Sequence, residues 1–397
     1  GRSHPCEHRL RSTVKSPQLL PASDPEIPPA AAPPGADHKA TRVRLRELDG
    51  LRLLAALMVC LFHYAGRGGT VGTAWGSTPL DIFPHLSKVA LYGHLGVEIF
   101  FAISGFVICM SCWGRSLGEF FRSRVVRLYP AYWAALFLVA GVGALAPQFD
   151  QPSSIPDFLV NLTMLQQPAG SPRILGVCWT LWAEARFYLL FAIFVVWKGA
   201  NYRRVVTFCF GWTIAAVIAQ ATQSQLLGQI VQPFYAPYFI IGLALYLIHR
   251  FGGDLMLWGI IGVNWALGNV FVIRSLAGSP REPLVIMAVL TAGIFVLALV
   301  ATGRLAWARW RWLTVAGALT YPFYLIHEHL GWAAIYALHQ LLGIPAAYTL
   351  PLAVSSMLAV AWGIHRAVER PLSRWMRRTM DAQAVLKHMR EESRQPR

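Results

Sequence analysis

Charged side chains are scarce in this sequence. Only 14% of the 397 residues are Asp, Glu, Lys or Arg, whereas an ordinary soluble domain carries roughly 25%. Hydrophobic residues make up 55% of the chain, and apolar blocks long enough to cross a bilayer recur from residue 48 onwards. This composition excludes an ordinary soluble domain and predicts a membrane protein with many spans.

Acidic residues and cysteines are also few in this sequence. The chain has 19 acidic and 35 basic residues, and its net charge is +16. The basic residues lie in short segments between apolar blocks and at both ends, which is typical of membrane proteins, so we expect no nucleic-acid partner. Five of the six cysteines lie in or beside apolar segments, where cysteine is usually a buried hydrophobe. We therefore expect neither a disulfide framework nor a metal site.

The chain divides into three predicted regions. Residues 1–44 are rich in Pro, Ala and Arg and lack an apolar period, which predicts disorder; they also lack the apolar core of a signal peptide. Residues 45–372 are predicted to form an all-α polytopic membrane domain, and residues 373–397 a basic cytoplasmic tail. The ten predicted helices lie near 48–65, 90–112, 129–146, 177–197, 205–221, 232–249, 255–273, 284–302, 313–339 and 347–367.

The distribution of Lys and Arg predicts the orientation. With the N-terminus inside, the inside loops carry eleven Lys and Arg residues and the longer outside loops carry five. Basic residues near span ends favour the cytoplasmic side. We therefore expect both termini in the cytoplasm and a multi-pass protein of the cytoplasmic membrane.

Six ionisable residues fall inside predicted spans, and such residues are costly and often functional. Arg52 and His63 are eleven residues apart, or about three turns, which places them on one helix face roughly 16 Å from each other. The six are Arg52, His63, Glu98, Glu184, Arg186 and His327.

Depth along the predicted helices sorts these residues into two layers. His63, Glu98 and Glu184 fall in the outer half, where imidazole and carboxylates suit proton transfer. In the inner half lie the guanidinium groups of Arg52, Arg122, Arg124 and Arg127, and such groups suit phosphate or carboxylate. This arrangement predicts a long anionic substrate that is held by arginine inside and reacts beside His63.

Six motifs in order resemble those of the acyltransferase 3 family of membrane acyltransferases, over roughly residues 45–372. They are ELDGLRLLAALMVCLFHY (47–64), GVEIFFAISGF (96–106), FFRSRVVRLYPAYW (120–133), WTLWAEARFYLLF (179–191), LTYPFYLIHEHL (319–330) and VERPLSRW (368–375). The chain departs from the usual pattern after Glu184, where Ala185 and Arg186 stand in place of the residues common in the family.

The resemblance implies transfer of an acyl group, commonly acetyl, from a cytoplasmic acyl-CoA co-substrate, with no permanently bound cofactor. The implied acceptor is a hydroxyl of a sugar in a surface polysaccharide, a glycolipid or a secreted metabolite. We expect His63 to act as general base with Glu98 or Glu184 as its partner, and Arg52, Arg124 and Arg127 to bind the donor. Supporting or substrate-contacting roles are expected for Ser104, Trp179, Tyr188, Tyr324 and His327.

Three alternatives stay open at the level of sequence. Transfer is either direct or through a covalent acyl-His63 or acyl-Ser104 intermediate, and the oligomeric state is undetermined. A proton-coupled transporter would also place His, Glu and Arg inside the membrane, although we find no similarity between the two halves of the chain. A structural membrane subunit with buried ion pairs is the third reading.

Overall fold

The computed structural model describes residues 45–149 and 153–380, and all regular structure in these residues is helical. Nine helices in this part are long and apolar enough to cross a membrane, and a shorter apolar helix makes a tenth. The prediction of an all-α polytopic membrane fold is thus confirmed. The predicted disordered segment 1–44 lies outside the described residues, as does most of the predicted tail.

The ten apolar helices are numbered here in chain order. They are α1 Arg46–Gly66, α2 Leu86–Cys112, α3 Leu117–Leu145, α4 Gly176–Val196, α5 Tyr202–Thr222, α6 Gln225–Phe251, α7 Leu255–Ser275, α8 Pro283–Ala301, the shorter α9 Leu313–Ile326, and α10 Ala346–Met380.

Helix α3 begins about twelve residues earlier than predicted, because a capping box starts it. The Ser116 hydroxyl accepts a hydrogen bond from the backbone N–H of Glu119 at 3.3 Å, and the Ser116 N–H donates to the Glu119 carboxylate at 2.8 Å. Such a reciprocal pair satisfies N–H groups that a helix start leaves free. As a result, Arg124 and Arg127 lie on one continuous helix.

The predicted ninth helix is broken in the structure. Helix α9 ends at Ile326, and a second helix, His329–Tyr336, follows after His327 and Glu328. At this break a side chain forms a hydrogen bond to a backbone carbonyl: the Tyr64 hydroxyl donates to the His327 carbonyl at 2.7 Å. A broken helix inside a membrane requires such replacement partners.

Glycines bring α2 and α6 together at the centre of the bundle. A side chain at Gly105 would meet the backbone of Phe239, and one at Gly242 would meet the backbone of Ala102. Small residues at such contacts let membrane helices approach closely. These two helices are accordingly the most buried spans, with 89% of the apolar window of α2 inside the protein.

The loop before α4 is clamped by one buried asparagine. The Asn161 side chain donates to the carbonyl of Pro172 at 2.9 Å and accepts from the N–H of Ile174 at 3.2 Å. This clamp ties a short helix, Ile155–Leu162, to the segment that leads into α4. The segment therefore reaches α4 in a defined position.

We expect Gly242→Ala to lower the thermal unfolding temperature of the detergent-purified protein. The added methyl group has to push the α2 backbone away, and overpacking of this kind costs about 1–3 kcal/mol. Gly259→Ala on α7 is the matched control, because no atom lies within 4 Å of its added carbon. Equal unfolding temperatures for the two variants would contradict this account of the α2–α6 contact.

Candidate active site

His63 lies on a π-helical turn, Phe62–Gly66, at the end of α1. Turns of this kind often occur at functional sites. The His63 Nδ1 atom lies 2.8 Å from Nε2 of His327, and the two rings stack with their centroids 5.0 Å apart. The indole N–H of Trp332 donates to the carbonyl of His63 at 3.2 Å. The π turn and the broken ninth helix therefore hold each other in place.

The hydrogen bonds determine which nitrogen of each neutral ring carries the proton. His327 Nδ1 lies 2.8 Å from the carbonyl oxygen of Tyr324, and a carbonyl only accepts, so this nitrogen carries a hydrogen. Nε2 of a neutral His327 is then an acceptor, and His63 donates to it from Nδ1. This leaves His63 with an unprotonated Nε2, which is the atom that a general base needs.

A buried carboxylate lies near that nitrogen. Oε1 of Glu328 is 3.8 Å from His63 Nε2 and accepts a hydrogen bond from Arg67 at 3.1 Å. The Arg67 guanidinium also lies over the ring of Trp332, 5.9 Å from its centroid. A carboxylate therefore lies beside the His63 ring, and it belongs to Glu328, whereas Glu98 or Glu184 was expected in that place.

Sequence reasoning missed both Glu328 and Arg67. Arg67 was counted only as a loop charge, and Glu328 was left out of the intramembrane residues although it directly follows His327 in the LTYPFYLIHEHL motif. The sequence did contain a signal for Glu328, because this acidic residue lies in the same motif as the candidate residue His327.

His63 opens onto a cavity that we call the histidine cavity. It contains about 1390 Å³ of unfilled space, part of which is open to solvent. Its polar and aromatic lining comprises Phe62, His63, Arg67, His94, Glu98, Arg173, Trp179, Phe234, Tyr235, Ser275, Tyr324 and Glu328. Glu98 and Trp179 thus share a compartment with His63, while His327 is fully buried behind it.

A second cavity, the arginine cavity, encloses about 820 Å³ of unfilled space. Its polar lining comprises Arg52, Ser104, Arg124, Arg127, Thr180, Glu184, Tyr188, Thr320, Tyr321 and Tyr324. Arg124 is buried and donates to the hydroxyl of Ser111 at 3.1 Å, while Arg127 is exposed. The three predicted donor-binding arginines therefore surround one compartment, from its depth to the protein surface.

Glu184 belongs to the arginine cavity, and its predicted place in one layer with His63 is wrong. Its carboxylate accepts hydrogen bonds from the hydroxyls of Ser104 and Tyr188. Gly176, the first residue of α4, lies against the Glu328 carboxylate, so α4 starts at the depth of His63. Eight residues along a helix then place Glu184 about 12 Å deeper.

The two cavities are neighbours that share two lining residues, Val97 and Tyr324. The Tyr324 hydroxyl lies 3.2 Å from that of Thr180, and its ring packs edge-on against Phe100. The Tyr324 carbonyl also accepts the hydrogen bond from Nδ1 of His327. Tyr324 therefore lies at the boundary of the two cavities, here called the neck, and also ends the hydrogen-bond series His63–His327–Tyr324, here called the histidine chain.

Arg186 lies apart from this arrangement. Its guanidinium donates to the carbonyl of Gln229 at 2.6 Å and lies over the ring of Trp182, 5.7 Å from the centroid. It lines neither cavity. Within residues 45–149 and 153–380, no group of three or more His, Cys, Asp or Glu side chains is arranged to hold a metal ion.

Comparison with known proteins now adds to this geometry. Residues 45–366 match the acyltransferase 3 family model, described as an acyltransferase domain. The chain belongs to the acyltransferase 3 family. The curated acyltransferase MdmB of Streptomyces mycarofaciens is 28% identical over 385 residues, which cover 85% of this chain and 93% of that protein.

A shorter part of the chain is similar to the exopolysaccharide production protein ExoZ of Rhizobium meliloti (strain 1021). The two are 34% identical over 113 residues, which cover 25% of this chain and 33% of that protein. No solved structure matches the chain. The predicted family and enzyme class are confirmed, and the protein is a multi-pass membrane acyltransferase. The match favours this activity over the transporter and structural-subunit alternatives.

We expect both His63 and His327 to carry their proton on Nδ1. Nitrogen-15 NMR of histidine-labelled protein in a bilayer measures the tautomer, and His63→Asn and His327→Asn variants assign the two signals among the twelve histidines. A neutral His63 with its proton on Nε2 would contradict the hydrogen-bond chain, because Nδ1 would then have no hydrogen to donate to His327.

Proposed function

We propose that this acyltransferase moves an acyl group from a cytoplasmic acyl-CoA to a hydroxyl of a sugar-containing acceptor in the cytoplasmic membrane. The observation that carries the proposal is the polarity of the site. Guanidinium groups surround one cavity, a basic imidazole nitrogen faces the next, and the two cavities meet at Val97 and Tyr324.

The donor fits the arginine cavity. Acyl-CoA is a long anion with phosphates at one end and a thioester at the other, and guanidinium groups bind phosphate well. With the phosphates at Arg127 and Arg124, the thioester points past Ser104 towards the neck at Tyr324. The acceptor then occupies the wider histidine cavity.

The chemistry is a direct transfer in which His63 handles one proton. Nε2 of His63 removes the proton from the acceptor hydroxyl while its oxygen attacks the thioester carbonyl. The carbon–sulfur bond then breaks, and the same proton passes from Nε2 to the leaving sulfur. His327 holds the ring in the required tautomer, and Glu328 stabilises the transient imidazolium.

A covalent acyl-Ser104 intermediate has less support. The Ser104 hydroxyl donates to Glu184 in the arginine cavity, whereas His63 lines the histidine cavity. No base of the histidine chain lies at Ser104, so we propose that the acceptor attacks the thioester itself.

His63→Ala is expected to lower acyl transfer by at least about 100-fold, the usual contribution of a general base, with expression and thermal stability retained. The measurement is ester formation from radiolabelled acetyl-CoA in membranes of cells that express each variant. Ser104→Ala is the companion variant and should keep most of the activity. A large loss in Ser104→Ala with an active His63→Ala enzyme would overturn the assignment.

Arg124→Ala should raise the KM for acyl-CoA by about tenfold or more, since a buried charged hydrogen-bond donor to a phosphate is worth about 1.5–3 kcal/mol. Arg122→Ala is the matched control: it removes the same charge from the same helix, but Arg122 does not line the arginine cavity. If both variants change the KM equally, or neither does, Arg124 is not a donor contact.

A further inference from the structure

Glu98 on α2 is a buried carboxylate that the proposed chemistry does not use. It lines the histidine cavity together with His63 and is only 8% exposed. Its Oε2 atom is buried and has no hydrogen-bond partner among the described residues. Rotation about the last side-chain torsion, which is soft, can present either carboxylate oxygen to the cavity.

The other glutamates inside the bundle have partners. Glu47 accepts a hydrogen bond from Arg309 at 2.6 Å, Glu184 accepts from Ser104 and Tyr188, and Glu328 pairs with Arg67. A buried carboxylate without a partner costs folding free energy. Oε2 of Glu47 also lacks a hydrogen-bond partner, but its other oxygen pairs with Arg309, whereas Glu98 has no ion pair or side-chain hydrogen bond in the described part of the chain. Proteins tend to break local rules of this kind at functional sites, so a buried carboxylate without such a partner in the wall of a cavity points to a ligand.

The position that the sequence analysis gave to Glu98 is already filled. His327 orients the His63 ring through Nδ1, and Glu328 lies near Nε2. Glu98 is therefore free to contact the acceptor, which shares the cavity.

The wall of the histidine cavity suits a sugar ring. Trp179 and Tyr235 both line it, and their rings lie 5.6 Å apart, centroid to centroid. Aromatic faces contact the C–H faces of a sugar, while a few polar groups in such a cavity determine its orientation.

We propose that the Glu98 carboxylate accepts a hydrogen bond from a second hydroxyl of the acceptor and thereby selects polyhydroxylated acceptors over simple alcohols. The inference rests on the proposed function and adds Glu98 as a residue that determines acceptor specificity. A hydrogen bond to a charged group favours an acceptor that forms it over an acceptor that lacks the hydroxyl by roughly 10- to 100-fold.

Two probe acceptors isolate this contact. Methyl glucoside and cyclohexylmethanol both present a primary hydroxyl on a six-membered ring, but only the glucoside has further hydroxyls. With acetyl-CoA and the full-length purified protein, we expect kcat/KM to favour the glucoside by at least about tenfold in wild type, and the ratio to approach one in Glu98→Ala.

The matched control is Tyr238→Phe. It removes another buried oxygen without a hydrogen-bond partner in the described part of the chain, but Tyr238 lines neither cavity. The ratio should keep its wild-type value in this variant. A kcat/KM ratio of glucoside to cyclohexylmethanol near one in wild type would overturn the proposal. An unchanged ratio in Glu98→Ala, with both acceptors slowed in parallel, would also overturn it, because that result is expected of a catalytic Glu98.

A stability measurement separates this proposal from the proposed function. Glu98→Gln should unfold at the same or a higher temperature than wild type, because it removes an unpaired buried charge, whereas Glu47→Gln should unfold at a lower one because it breaks the pair with Arg309. Destabilisation of Glu98→Gln as large as that of Glu47→Gln would make the carboxylate structural. Absence of acyl transfer in wild type, with the stability result as expected, would instead reject the proposed function alone.

Discussion

A neutral imidazole inside a membrane needs a partner for its N–H, and this constraint organises the site. The His63 N–H donates to His327, and the His327 N–H donates to the Tyr324 carbonyl. The chain of bonds ends on a backbone carbonyl, which cannot donate in return, so the direction of every bond follows from that end. The unprotonated Nε2 of His63 is the consequence, and this tautomer arises without a carboxylate bonded to Nδ1.

The constraint explains two irregular pieces of backbone. The π turn Phe62–Gly66 presents His63, and the interruption after Ile326 presents His327 and Glu328. Irregular backbone in a bilayer is stable only where side chains replace the lost backbone partners. Tyr64 and Trp332 do so across the contact. The two irregular segments therefore supply each other's missing backbone hydrogen-bond partners.

The site is also polarised along the bundle. Guanidinium groups and a hydrogen-bonded Glu184 surround the arginine cavity, and the imidazole, the paired Glu328 and the unpaired Glu98 face the histidine cavity. Tyr324 and Val97 are common to both. The two kinds of polar group therefore lie in separate compartments that adjoin at Val97 and Tyr324.

The sequence by itself determined the membrane fold and the family, because hydropathy and motif order are local properties, and it named the candidate site residues. It also placed Arg52 and His63 on a single helix, which is α1. Only the tertiary structure decided which residues meet. The depth of Glu184 depends on where α4 starts, which the contact of Gly176 with Glu328 sets, and the partner of His63 depends on a helix break 264 residues away. Counting along one helix carries no information about the relative heights of two helices, since loops and packing set those heights.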